Sequence, residues 1–172
     1  MKMKVIAMLA AFALTASAAA AQELPRKVQN VEVLDLDGKP AKLPYFGEKN
    51  LMIFYVDPDR HKQNEDFTVE LEQNHRAESD NIYGFGVMNL KDAPMVPNGM
   101  ARNMAKKRTA KNGATVLADQ NRILSTAWAL GDCNNQFVLM IVSKEGELVF
   151  LRKGELSDAD KEAFYETIEK YK

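Results

Sequence analysis

The sequence predicts an α/β fold, a central mixed β-sheet flanked by helices, and three observations carry that prediction. Leu51–Val56 is a continuous apolar run, and a second follows Gln136 through Val142; each has the length of a strand buried on both faces. Between and after these runs, apolar residues recur at helical spacing, as in Phe67 with Leu71 and Phe164 with Ile168. The two patterns alternate along the chain. Strands are therefore expected to run parallel through helical crossovers until a closing hairpin and helix add an antiparallel edge.

Each element has its own signal. Val31 to Asp35 alternates apolar and polar residues and meets the turn pair Asp37-Gly38, which predicts an opening strand and the start of a hairpin; Lys39 to Asn50, with Pro40 and Pro44, reads as extended and irregular. After the first buried strand, Asp57-Pro58-Asp59 breaks the run. His61 to Glu78 then reads as a helix with one narrow apolar face, Glu65 and Asp66 near its start and Arg76 near its end suiting the macrodipole. A strand is predicted from Ile82 to Leu90, interrupted by Gly84 and Gly86. Asn98 is placed to cap a helix that carries Met100 and Met104 on one face and ends at Asn112-Gly113. A short strand from Thr115 to Ala118, a short helix from Ile123 to Leu130, the second buried strand and the turn Lys144 to Glu147 lead into Leu148–Leu151. Ser157 and Asp160 have capping-box spacing for a last helix with Phe164, Ile168 and Tyr171.

The first residues carry a different message. Lys2 and Lys4 precede an apolar run from Val5 through Leu14 and the small residues Ala18 to Ala21, the order of a cleaved secretory signal. That run is shorter than the roughly 20 residues a spanning helix requires, so no integral membrane segment is expected after cleavage. Residues 1–21 thus read as a signal peptide and residues 22–172 as one exported, periplasmic domain. Of 23 basic and 24 acidic residues the leader holds two and none, leaving a net charge of −3, which is no basis for nucleic-acid binding. One cysteine, Cys133, means that packing alone must stabilise the fold.

A buried strand running into a loop and a long helix resembles the thioredoxin fold, across nearly all of the chain after the leader. That resemblance implies a Cys-x-x-Cys pair where the strand meets its helix, because a helix N-terminus lowers the pKa of a thiol. Laying Leu51-Met52-Ile53-Phe54-Tyr55 on that strand puts Asp59-Arg60-His61-Lys62 at the motif, so both thiol positions are empty. The resemblance also implies a cis-proline at the start of the penultimate buried strand, and Phe137 stands there. Trp128-Ala129-Leu130, Lys144-Glu145-Gly146, Lys153-Gly154-Glu155-Leu156-Ser157 and Pro97-Asn98-Gly99-Met100 together are similar to the YtfJ family, exported bacterial thioredoxin-like proteins.

Candidate sites follow from these positions. Asp57, Asp59, Arg60, His61 and Lys62 make the densest polar stretch, at the strand end where this fold places its chemistry; beside Phe137 they would form a groove for a peptide, protein or small ligand. The same carboxylates and imidazole have the chemistry of a divalent-metal or acid-base site, against which stands the simpler reading of a strand-to-helix connection with Asp59 as a cap. Cys133 is the weak candidate for catalysis, as a one-cysteine peroxidase- or reductase-like thiol; its loop lies away from the usual thiol positions, and acidic Asp132 beside it opposes thiolate formation. His75 reads as a cation at a helix end. Lys106, Lys107, Arg108 and Lys111 read as a solvated helix face or a site for an acidic partner. Met88, Met95, Met100 and Met104 offer soft copper(I) ligands, but Met100 and Met104 equally suit a core gap. No cofactor is implied. The two functional readings are a redox-inactive binding module and a one-cysteine redox protein.

Overall fold

The computed structural model describes residues 23–172; the predicted leader lies outside them. Its centre is an eight-stranded mixed sheet. In chain order the strands are β1 (Arg26–Lys27), β2 (Glu32–Leu34), β3 (Pro40–Lys42), β4 (Asn50–Val56), β5 (Ile82–Asn89), β6 (Val116–Asp119), β7 (Phe137–Val142) and β8 (Glu147–Lys153). The helices are α1 (Glu65–Asn74), α2 (Asn98–Asn112), α3 (Ile123–Ala127) and α4 (Asp158–Tyr171). Across the sheet the order is β1-β8-β7-β4-β5-β6-β2-β3. β4, β5 and β6 run parallel through α1 and α2, while β7 lies antiparallel to β4 and continues into the β7–β8 hairpin.

The period-2 pattern of β4 divides the interior. Leu51, Ile53 and Tyr55 point into a core with Trp128, Leu124 and Met140. Met52, Phe54 and Val56 point to the other side, where Phe67 of α1 and Phe164 of α4 meet edge to face at 5.4 Å. β7 is buried at all six positions, which is why it reads as an unbroken apolar run. The last helix starts as its sequence indicates: Ser157 Oγ accepts from Asp160 N, and the Asp160 carboxylate accepts from Ser157 N.

Several local expectations change. β1 pairs with β8, and β3 forms within the stretch read as irregular, with Pro40 on an edge strand where its missing N–H costs no ladder bond. α1 begins at Glu65 instead of His61, because Pro58–Arg60 is a 3₁₀ turn and Asn64 is left-handed at φ 61°. It ends at His75, also left-handed, so Arg76 lies beyond the last turn and stacks over the Tyr165 ring at 3.8 Å. His75 pairs with exposed Glu78 at 2.7 Å. Asn98 is the first residue of α2 and makes no capping bond; Pro97 holds the cap position. Within α2 the buried residue is Ala101, whereas Met100 and Met104 are exposed, contrary to a core-filling role.

Candidate functional site

The stretch from Asp57 to Lys62 lies at the C-terminal end of β4, where parallel strands deliver their loops. Asp57 follows the strand directly and is fully buried. Its Oδ1 accepts from Asp59 N at 2.9 Å and its Oδ2 from Asn135 N at 2.7 Å, so one carboxylate joins the 3₁₀ turn to the loop before β7. The next residues are held as firmly. Gln63 Oε1 accepts from Phe137 N at 2.7 Å, and Asn64 bridges to the loop after β8, donating to Gly154 O and accepting from Leu156 N. Asn suits that post because it tolerates the left-handed backbone required there.

Asp59, Arg60, His61 and Lys62, expected from the sequence at the Cys-x-x-Cys positions, line an open cleft of ≈ 310 Å³ with Gln63 and Glu155. Arg60 Nε donates to Asn135 Oδ1 at 3.2 Å, and His61 Nδ1 lies 3.1 Å from Pro58 O, so that ring nitrogen carries the proton. The predicted site residues therefore separate into two groups. Asp59 to Lys62 face the cleft, while Asp57 and Phe137 turn inward; Phe137 packs against Phe54 at 6.1 Å and contributes backbone only. Because Asp57 is committed to two backbone donors, it does not converge with Asp59 and His61, and among the described residues no three His, Cys, Asp or Glu side chains are grouped to hold a metal ion.

The backbone at this edge is largely engaged. Gln136 N donates to Cys133 O, Gln136 O accepts from Asp57 N, and Phe137 O accepts from Gly154 N. With Asn135 N and Phe137 N also taken, few main-chain groups are left for an extended peptide to pair with. Side chains are what this cleft presents.

Burial disfavours the ionised form of Asp57 and raises its carboxyl above the ordinary aspartate value, although its two N–H donors oppose the shift. The unfolded chain releases this proton at a lower pH than the native one, so stability falls as pH rises from the ordinary value through the raised one, then levels off. Asp57→Asn should abolish that slope in denaturant midpoints measured from pH 4 to pH 7. It should also lower stability by about 1–3 kcal/mol, since an amide sets its own N–H against a backbone donor.

Cys133 is not remote from this site, as the sequence suggested. Its loop packs against the Asp57 loop, and its carbonyl accepts from buried Asn89, which is in turn bonded to Asp92 and through it to Arg122. The thiol itself points inward, 2 % exposed, toward Gly131 O. Burial, more than Asp132, pushes it up to about 11, against a smaller opposing effect of Lys153. Iodoacetamide at pH 8 should label native Cys133 on the order of 10²-fold more slowly than a free thiol, with ordinary labelling restored on unfolding; mass spectrometry reads both rates.

Sequence reasoning missed Gln63, Asn64 and Asn135, whose partners lie far along the chain, Glu155, which lines the cleft, and Asp119. Asp119 ends β6, is fully buried, and accepts from the backbone N–H groups of Asn121, Ile123 and Leu124 and from Tyr55 Oη. An acid directly before a short helix was the one available signal.

Sheet order, a strand-to-helix junction bearing the cleft and an antiparallel closing hairpin define a thioredoxin-like fold. This example has one cysteine and no Cys-x-x-Cys pair. It is similar to the exposed lipoprotein thioredoxin of Streptococcus pneumoniae, at 18% identity and TM-score 0.57 over 83% of this chain and 99% of that one. It is also similar to a DsbF homologue from Corynebacterium diphtheriae (12% identity, TM-score 0.60, 84% and 87% covered) and to a peroxiredoxin-like protein from Aquifex aeolicus (11%, 0.60, 86% and 88%). No family model matches the chain, and no curated protein matches its sequence. Among the described residues no helix is long and apolar enough to cross a membrane.

Proposed function

We propose that this protein is a binding module that uses the cleft at Asp59 to Lys62 to recognise a ligand through charged side chains, without thiol chemistry. The observation that carries this reading is the fixing of the loop. Asp57 and Gln63 tie it to the start of β7 and Asn64 ties it to the loop after β8, which leaves Arg60, His61 and Lys62 presented from a preorganised frame with Asp59 and Glu155 beside them. Preorganisation lowers the cost of ordering a site on binding. The leader-like pattern of residues 1–21 supports a periplasmic setting, and the segments around Trp128, Gly146 and Gly154 support kinship with the YtfJ family.

The test is capture from periplasmic extract on immobilised protein, comparing wild type with Arg60→Ala/Lys62→Ala. Both side chains are exposed, so the variant should keep the wild-type melting temperature and lose a captured partner by about tenfold or more. Identical capture by the two proteins would remove the cleft from consideration. Insulin reduction and peroxide consumption should stay at background for the wild type and for Cys133→Ser alike.

A further inference from the structure

On the side of the sheet covered by α1, α2 and α4, the cover is incomplete. α1 and α4 close over β7 and β8 through Phe67, Phe150 and Phe164, and α2 sits over β6 through Ala101. Between them Met52, Phe54 and Val56 of β4 remain half-buried. Their register partners on β5 are Gly84, Gly86 and Met88, and Gly84 is exposed. The two glycines that interrupt β5 thus leave a shallow apolar trough over the middle of the sheet, where parallel strands are ordinarily covered on both faces.

The flanks of the trough are set by what each helix does on its other side. Glu70 and Asn74 of α1 meet Tyr165 of α4, so that side of α1 faces α4. At about 100° per residue, the side toward the trough carries Glu65, Thr68 and Glu72. On α2, Lys106 pairs with Asp37, and the Arg102 guanidinium lies where a side chain on Gly38 would reach, so that side faces the β2–β3 hairpin. The opposite side, toward the trough, carries Met100, Met104, Arg108 and Lys111. α1 has four acidic residues and no basic one; α2 has five basic residues and no acidic one. Among the described residues no ion pair joins the two helices.

We infer that this face is a two-fold interface between two copies of the chain, with α1 of each copy lying along α2 of the other. A two-fold axis parallel to β4 sets the acidic flank of one copy opposite the basic flank of the second, twice over, and a surface carrying both charges is its own complement. An anionic partner would match α2 and be repelled by α1, and a cationic partner the reverse; a second copy satisfies both. The small formal net charge, −1 for the whole sequence and −3 without residues 1–21, sets no long-range barrier to approach. Exposed Met100 and Met104 on the α2 flank add apolar contact of the kind that interfaces use.

Sedimentation of the purified protein at about 100 µM and low salt should show a dimer, weakened on the order of tenfold or more at about 1 M salt. Glu65→Lys/Glu72→Lys and Arg108→Glu/Lys111→Glu should each be monomeric, with dissociation constants raised about 100-fold or more, and each should keep its circular dichroism. An equimolar mixture of the two variants should dimerise again, because both reversed flanks then meet their opposites. Zero-length cross-linking of mixed ¹⁴N and ¹⁵N wild-type protein should join Glu72 to Lys111 in peptides that carry both labels, a readout independent of the variants. A monomeric wild type, a dimer that neither reversal weakens, a mixture of folded variants that stays monomeric, or cross-links confined to one label would each overturn the interface.

Discussion

Asp119→Ala is expected to lower stability by about 3–5 kcal/mol, because it strands several buried donors at once. The carboxylate accepts the backbone N–H groups of Asn121, Ile123 and Leu124 and the Tyr55 hydroxyl, in a position that water does not reach. Alanine leaves those donors without partners and withdraws the negative charge from the first turn of α3. Each unpaired buried donor costs about 1–3 kcal/mol, and local rearrangement recovers part of the sum. Asp119→Asn keeps one acceptor oxygen and should cost about half as much. Denaturant titration measures the totals. Hydrogen exchange at Ile123 and Leu124 should accelerate before exchange in β4 does, since the damage begins at α3. A variant of wild-type stability would mean that the α3 turn holds itself.

Trp128→Ala is the second large effect, at about 3–5 kcal/mol, or roughly 10 °C in melting temperature for a chain of this size. The indole is 1 % exposed in the core formed with Tyr55, Leu124 and Met140, and Phe46 packs near it at 6.4 Å. Its Nε1 donates to Gln29 O at 2.8 Å, and its carbonyl accepts from Arg26 at 2.8 Å. The residue therefore seats the N-terminal segment that carries β1 as well as filling the core. Proteolysis of the variant should cut first near residues 26–30 while β4 to β8 stay protected. Trp128→Phe should recover most of the core term but not the tie to Gln29.

The features legible in the sequence are those decided within one element or one turn. Leu51–Val56 and Phe137–Val142 read as buried strands because every position in each is apolar, and Ser157 with Asp160 read as a cap because both partners lie within four residues. The position of the cleft was legible for the same reason: a polar stretch directly after the first buried run can only be the loop at its end. The roles inside that stretch were not. Asp57 looks like a ligand-binding carboxylate beside Asp59, yet it is interior because its acceptors are filled by Asn135, 78 positions away, as well as by Asp59. Gln63 and Asn64 carried no signal at all, since their partners are Phe137, Gly154 and Leu156.

α2 shows the same division on a whole helix. Helical spacing puts Met100 and Met104 on one face, and apolar faces ordinarily turn inward. Here Lys106 pairs with Asp37 of the β2–β3 hairpin and Arg102 lies beside Gly38, an orientation in which Ala101 meets the sheet and the methionines do not.

The sequence by itself determined the order of strands and helices from β4 onward, the α/β class and the absence of a Cys-x-x-Cys pair. Those depend on local periodicity and on which residues are present. Only the tertiary structure decided that Asp57 and Cys133 face inward, that Asp59 to Lys62 face a cleft, and that acidic α1 and basic α2 stand apart across an apolar strip. Periodicity states that an element has two faces; the direction each one takes is set by pairings between residues distant in the chain, and no local pattern encodes those.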